Sequence, residues 1–472
     1  MLATHFHQIP IMKSDSPMKT RYTWKSILLT QCLLVAGVGL ALFLADAQAR
    51  TMLRTELPGG EAFTPVPIPR ETPIVISRPY NRPDWISNED LAQVLDLTQP
   101  RFNRSKMKPN FVEHALRTWG VDATFQNPEV ASGQEMLSFL TDNASFMDSW
   151  GKEVAPLLQE RSKGIGIHWG TDPGASYHHD HLLACITEAG APLNTPVFGP
   201  TRRSATLYDV IQESLRDFRL DERETEWTAM AFGLWIPPSR EWIGSGGRQY
   251  SFDLLVDRLL RGEKKMGVCA GTHRVYSLLL LVRLDDEYDI LSDNSRERAY
   301  QYLREVRDAI TLAQFEDGHW SSDWPRGAEA VSSPVDEPEF RAVIATGHHL
   351  EWMSIAPQDL LIPDEQIQKG IQWIVTHTKS RSLKQIEDHF TFYSHVGAAL
   401  CNWRQVRPAD YWREWEATHP FDPAREASRK APAVQEKSAP AAEPVKKETP
   451  DQAPSSETES AAQDTAPVTT EI

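Results

Sequence analysis

Five polar residues recur along the chain at near-regular intervals: His179, Glu226, His273, His348 and His395. The intervals are 47, 47, 75 and 47 residues, and each residue heads an apolar segment. Imidazoles and carboxylates are the side chains that move protons near neutral pH, and grouped imidazoles also hold metal ions. Glu351 stands three residues after His348, on the same helical face, where it could orient an imidazole or act as an acid. In "YHHDHLLAC", His178 and His181 are three apart, and His181 and Cys185 are four apart. That spacing permits metal binding but supplies no third rigid ligand, so His178 and His181 are weak metal candidates. Arg274, beside His273, could take a carboxylate or phosphate. The residues fix no cofactor. Each candidate also has a plain structural alternative, because polar residues at helix starts satisfy unpaired backbone N–H groups.

A column of this kind needs a repeated element to position it. "TLYDVIQESLRDF", "YSFDLLVDRLLRG", "ERAYQYLREVRDAITLAQ" and "DEQIQKGIQWIVTHT" are amphipathic at helical spacing, with one charged face each. They alternate with "HHDHLLACITEAG", "EWTAMAFGLWI", "THRVYSLLLLVRL", "GHHLEWMSIA" and "SHVGAALCNW", which read as helices buried on most sides. The pattern predicts a double-layered ring of helical hairpins. The long interval holds "PRGAEAVSSPVDEPEF", which reads as an inserted loop. Counting back 47 residues from His179 reaches Ser132, at the head of "SGQEMLSFL", and makes six hairpins. The repeat residues would then open the inner helices and converge on one rim. Unpaired N–H groups there would favour a polar or anionic ligand in an accessible cavity. Cys185 and Cys401 each follow a repeat residue by six and read as small core residues.

One stretch carries a motif. In "ITLAQFEDGHW", the spacing of Ile310, Gln314, Gly318 and Trp320 resembles the QW motif of the terpenoid cyclases. "KGIQWI" (369–374) resembles the start of a second copy, with Thr378 where a glutamine is expected. The resemblance implies an all-α fold, an (α/α)6 toroid of the squalene cyclase and protein prenyltransferase type, over residues 110–410. It also implies that "QFEDGHWSSDW" is a clasp between hairpins and not an active-site loop. It does not extend to chemistry. The D-x-D-D acid motif is missing, as is the thioester Cys-Gly-Glu-Gln, and the Asp, Cys and His zinc set does not map. "DDEYD" (285–289) fits a diphosphate-binding pattern but reads better as a solvated helix end.

Composition bounds the rest. A net charge of −16 argues against a nucleic-acid partner, and four cysteines in 472 residues make no disulfide framework. Lys19, Arg21 and Lys25 precede an uncharged apolar run at 27–45, about 28 Å long as a helix, against a bilayer core of about 30 Å. Residues 1–25 are therefore expected to be cytoplasmic, 26–49 a transmembrane signal-anchor, and the remainder exported. Two A-x-A patterns at 45–49 also suit cleavage, which would make the protein secreted. The length of the run favours the anchor. The Pro-rich stretch 50–84 reads as a spacer, 85–419 as the toroid, and 420–472 as a disordered tail rich in Pro, Ala, Glu and Lys. Together these features predict a membrane-held toroid with a His- and Glu-lined cavity, acting on a lipid or carbohydrate. The alternative is a non-catalytic envelope scaffold with a protein partner.

Overall fold

A computed structural model describes residues 24–44 and 64–430, except 223, 245, 246 and 266. The described chain is mostly helical, with three small two-stranded antiparallel hairpins. Its contacts divide it into two units, 1–421 and 422–472. In the second, Pro423–Lys430 is helical, against the expectation of disorder there, and residues from 431 lie outside the described set.

Six helices form the core of the first unit: α1 (Pro109–Trp119), α2 (His181–Glu188), α3 (Glu226–Trp235), α4 (Thr272–Tyr288), α5 (Phe340–Met353) and α6 (Phe390–Trp403). Each packs against the next, and α6 packs against α1, so the six close a cycle. A second helix precedes each of them in sequence: Asn88–Leu97, Gly133–Thr141, Leu207–Asp217, Phe252–Leu259, Asp293–Ala313 and Asp364–Lys379. The composition of the two sets explains their places. Every residue of α3 is buried, including Glu226 and Thr228 in an otherwise apolar sequence. In Asp293–Ala313 the buried positions Ala299, Tyr302, Leu303, Val306, Ile310 and Ala313 recur every three or four residues, leaving a charged face outside.

The repeat residues do not all open their helices. His348 is in the third turn of α5 and His395 in the second turn of α6, because "FRAVIATG" and "FTFYS" continue the helical pattern upstream. His179 lies before α2, separated from it by Asp180, which takes a left-handed φ of 55°. Ser132 caps an outer helix through a reciprocal box with Glu135, so counting back from His179 lands in the wrong layer. The core helix that belongs there is α1.

Of the expected spacer 50–84, residues 50–63 lie outside the described set, and 64–84 form a strap. Residues 64–84 run extended past the C-terminal ends of the core helices, where four carbonyls per helix lack an intrahelical donor. Ile74 N–H donates to Leu234 O (2.9 Å) and Arg82 N–H to Trp403 O (2.8 Å). The Tyr80 hydroxyl donates to Ala356 O (2.7 Å) and Arg78 to Val406 O (2.8 Å). An extended Pro-rich backbone leaves its own N–H groups unpaired, which suits it to this role. The strap covers one end of the cycle.

The stretch 314–324 joins two outer helices. Gln314 Nε2 donates to Gly318 O (2.8 Å) and to Gln366 O (2.7 Å), and Trp320 Nε1 donates to Ile310 O (2.8 Å). Asp285, the first residue of "DDEYD", is buried and not solvated. It accepts from Leu291 N–H (2.7 Å) and pairs with Arg296 (2.7 Å), closing α4. Trp24–Leu44 is helical. Among the described residues no helix is long and apolar enough to cross a membrane.

Candidate functional site

At the centre of the cycle each core helix contributes one aromatic ring, and neighbouring rings touch all the way round. The ring centroids are 4.6 Å apart for His114–His181, 4.2 Å for His181–Trp227 and 4.3 Å for Trp227–His273. They continue at 4.7 Å for His273–His348, 3.9 Å for His348–His395 and 5.2 Å for His395–His114. The layer is thus five imidazoles and one indole. None is more than 6% exposed. The expected accessible cavity is filled by side chains.

One turn along from His114, Arg117 reaches into the cycle and is held from two sides. It pairs with Glu188 at the end of α2 and with Glu351 of α5, the latter at 2.8 Å. The Tyr276 hydroxyl donates to Glu188 (2.7 Å), and the guanidinium sits 5.4 Å from the Tyr276 ring. Burial opposes the Arg117 charge, but Glu188, Glu351 and Tyr276 outweigh it and hold its pKa well above the ordinary value.

Several imidazoles are locked in one tautomer by what lies behind them. His348 Nδ1 is 2.8 Å from Ile344 O and His114 Nδ1 is 2.8 Å from Asn110 O. A carbonyl only accepts, so both protons are on Nδ1 and each Nε2 keeps a lone pair. His395 Nδ1 faces both an acceptor, Glu351 Oε2 at 2.8 Å, and a donor, Arg117 Nη1 at 3.1 Å, and its Nε2 is buried with no hydrogen-bond partner among the described residues. Glu113 Oε2 approaches His181 Nδ1 to 2.5 Å, out of line for a hydrogen bond, and His181 Nε2 is also buried without a partner. His348 Nε2 and His273 Nε2 face each other at 3.0 Å.

Burial decides the charge of the cluster. It pushes His348 down to about 4 and His349 to about 3. It also drives His114, His181, His273 and His395 well below the ordinary value of 6.5, with neighbouring charges adding to the effect. Glu113 goes the other way, raised by burial to about 8. Burial likewise lifts the Cys269 thiol to about 12.

Cys269 is set by an unusual backbone. Cys269, Ala270 and Gly271, just before α4, all have positive φ (51°, 56° and 82°), as does Gly267 (103°). Two non-glycine residues in that region store strain of the order of 1–3 kcal/mol each. Gly267 lies close to Glu226, since a Cβ there would come within 2.3 Å of Glu226 Oε1. Trp324 supports the turn by donating to Ala270 O (3.2 Å), and its ring meets His349 edge-on at 4.9 Å.

The cycle therefore unites His273, His348, Glu351 and His395 from the sequence-derived candidates, together with His181. His178 pairs with Glu224, and His179 with Asp180 (3.2 Å) and Glu222 (3.1 Å), on a partly exposed rim. Glu226 is buried beside the ring, but its neighbour Trp227 supplies the ring position. Arg274 is buried 4.0 Å from Glu226 and is no surface cation. His114, Glu113, Arg117, Glu188, Tyr276, Trp227 and Cys269 are additions from the structure. A half-open pocket of about 220 Å³, lined by Phe340, His377, Arg381, His389 and Tyr393, lies apart from this cluster. Glu339 pairs there with Arg381 (2.9 Å).

No family profile, curated protein or solved structure matches this chain.

The imidazoles predict a definite pH dependence. Between about 4 and 6.5 the unfolded chain binds protons at these histidines that the folded chain does not, so stability rises with pH and is lost as pH falls. Glu113 acts oppositely between about 4.5 and 8, where the fold keeps a proton that the unfolded chain releases. Glu222, Glu226 and Glu416, also raised by burial, act in the same direction as Glu113, and the six imidazoles outweigh these four carboxyls. Thermal melts in chelator-containing buffer are expected to show the melting temperature falling steadily from pH 6.5 to pH 5. A flat profile would mean that the histidines are charged or exposed.

Proposed function

We propose that this chain is an (α/α)6 toroid, anchored to a membrane through residues 27–45 and exported, and that its imidazole ring is a reaction centre. The single observation that supports this reading is the chemistry of the core. Apolar side chains would fill the middle of a helical cycle at far lower cost than five imidazoles, an arginine and three carboxylates, some with buried unpartnered atoms. Buried groups with displaced pKa values cluster at functional sites.

In this reading His395 is the proton acceptor. Glu351, nearer to Nδ1 (2.8 Å) than Arg117 Nη1 is (3.1 Å), takes the Nδ1 proton and leaves the Nε2 lone pair free, and Arg117 holds Glu351 in place. The substrate is an envelope lipid or carbohydrate, admitted past the partly exposed rim of His178, His179 and Cys269 when the ring opens. The strap closes the other end. The closed centre favours a second reading, a rigid envelope platform in which the ring is a polar plug.

Two measurements test this. Membrane fractionation of the full chain should find it in the membrane, and recovery from the cytosol would end the anchoring claim. The detergent-solubilised chain and its His395→Gln variant are then incubated with a total lipid extract and with envelope polysaccharide, and products are followed by mass spectrometry. Turnover by the parent at least a hundredfold above the variant is expected. Equal product from both would leave the platform.

A further inference from the structure

We propose that Cys269, His273 and His348 bind a thiophilic divalent metal ion of the zinc class. The proposal rests on the reading of the ring as a functional centre and names what that centre holds. Ligand atoms of the three side chains all lie within 4.8 Å of one another. They come from two neighbouring core helices and the strained turn that begins one of them. A thiolate with two imidazoles is a donor set that suits zinc and leaves a fourth position open, the arrangement of reactive and not of purely structural sites.

Three independent features of the geometry point to an ion. First, His273 Nε2 and His348 Nε2 lie 3.0 Å apart, where His273 Nε2–H donates to the His348 Nε2 lone pair, a proton that a metal ion would displace. Two bonds of about 2.0–2.1 Å to a tetrahedral zinc place their nitrogens about 3.3 Å apart. The pair is within a few tenths of an ångström of that separation. Second, His348 is already oriented as a ligand, since its Nδ1–H donates to Ile344 O (2.8 Å). A backbone carbonyl or carboxylate behind the imidazole is the usual outer partner of a metal-bound histidine. Third, His395 packs 3.9 Å from His348 and 5.2 Å from His273, and its buried Nε2 lacks a partner. With Glu351 behind it, that nitrogen is placed to accept a hydrogen bond from a water on the open position. The backbone supplies a reason for its own strain. The run of positive φ at 269–271 carries the thiol back toward His273 and His348, which an unstrained helix start would not do.

The experiment uses the full chain in detergent, treated with chelator and then titrated with Zn(II) and with Co(II). One equivalent of metal per chain is expected by elemental analysis, and Co(II) should give the near-ultraviolet absorption of a cobalt–thiolate bond. Cys269→Ser, at a partly buried position, should abolish that absorption and weaken zinc binding at least tenfold, with the circular dichroism of the metal-free protein unchanged. Cys32→Ser should change neither. His348→Asn, if it folds, should behave like Cys269→Ser, and if it does not, the Cys269 variant decides. Absence of stoichiometric binding, or cobalt–thiolate absorption that survives in Cys269→Ser, overturns the site. The turnover assay above is independent of this readout. Product formation that depends on His395 without bound metal would overturn the metal and keep the reaction centre.

Discussion

Replacing Arg117 by alanine is expected to destabilise the folded protein by about 3–5 kcal/mol, the usual cost of stranding a buried ion pair. The Arg117 side chain is 5% exposed and Glu351 4%, so neither has water to fall back on. Truncation leaves Glu188 and Glu351 facing one another across the cycle with no counter-charge. The loss is therefore electrostatic first and steric second, and a charge-neutralising change should recover part of it. Glu351→Gln in the Arg117→Ala background is expected to be more stable than Arg117→Ala alone. Arg117→Lys should recover little, because a single ammonium cannot reach both carboxylates as the guanidinium fork does. Urea denaturation of the four proteins checks this. A loss below about 1 kcal/mol for Arg117→Ala would mean that the arginine is solvated and the ring centre open.

Arg117 also shows where sequence reading stops. The 47-residue interval located α2 to α6, because their cores are apolar enough to stand out and their outer partners are amphipathic. It missed α1. "PNFVEHALRTW" buries Glu113, His114, Arg117 and Thr118, so it looks like a surface helix, and polar burial has no local signature. His114 is also 67 residues from His181, with a strand hairpin (Leu158–Glu160 and Ile165–Ile167) between them, so the interval could not be extended backward. The same limit placed Ser132 on the wrong layer. Histidines at 273, 348 and 395 were legible as a column because they recur in register. That they are buried rather than lining a cavity depends on how closely six helices approach, which no single helix encodes. The strap was misread for a related reason. Proline-rich sequence states that a segment is extended and unpaired internally, and the partners of Ile74 and Arg82 are carbonyls more than 150 residues away.

The other large effect is expected at the clasp, and it addresses what "QFEDGHWSSDW" is for. Of its chemistry-bearing side chains, Glu316, Asp317 and His319 are turned outward, with His319 stacked on Phe315 (4.3 Å) and near Trp373 (5.1 Å), while Asp323 is buried and pairs with Lys265 (3.0 Å) and Arg326 (2.6 Å). Trp320 is fully buried and does the joining. Its ring lies against Gly370, where a Cβ would come within 2.7 Å of it. Trp320→Ala is expected to cost about 3–5 kcal/mol, through a large cavity at the junction of two outer helices. Trp320→Phe refills most of that cavity but cannot donate to Ile310 O, so it should retain a loss of about 1 kcal/mol. Gly318→Ala attacks the same junction through the backbone. Gly318 has φ of 107°, and a Cβ there would meet Lys369 O at 2.4 Å, a contact that no side-chain movement relieves. The three variants should therefore rank with phenylalanine mildest, and all three should leave metal titration of the ring unchanged wherever the protein remains folded. Trp320→Ala as stable as the parent would make the stretch a loose loop. Loss of metal binding in a folded Trp320→Phe protein would instead tie the clasp to the ring through His349, which sits 5.7 Å from Trp320 and beside His348.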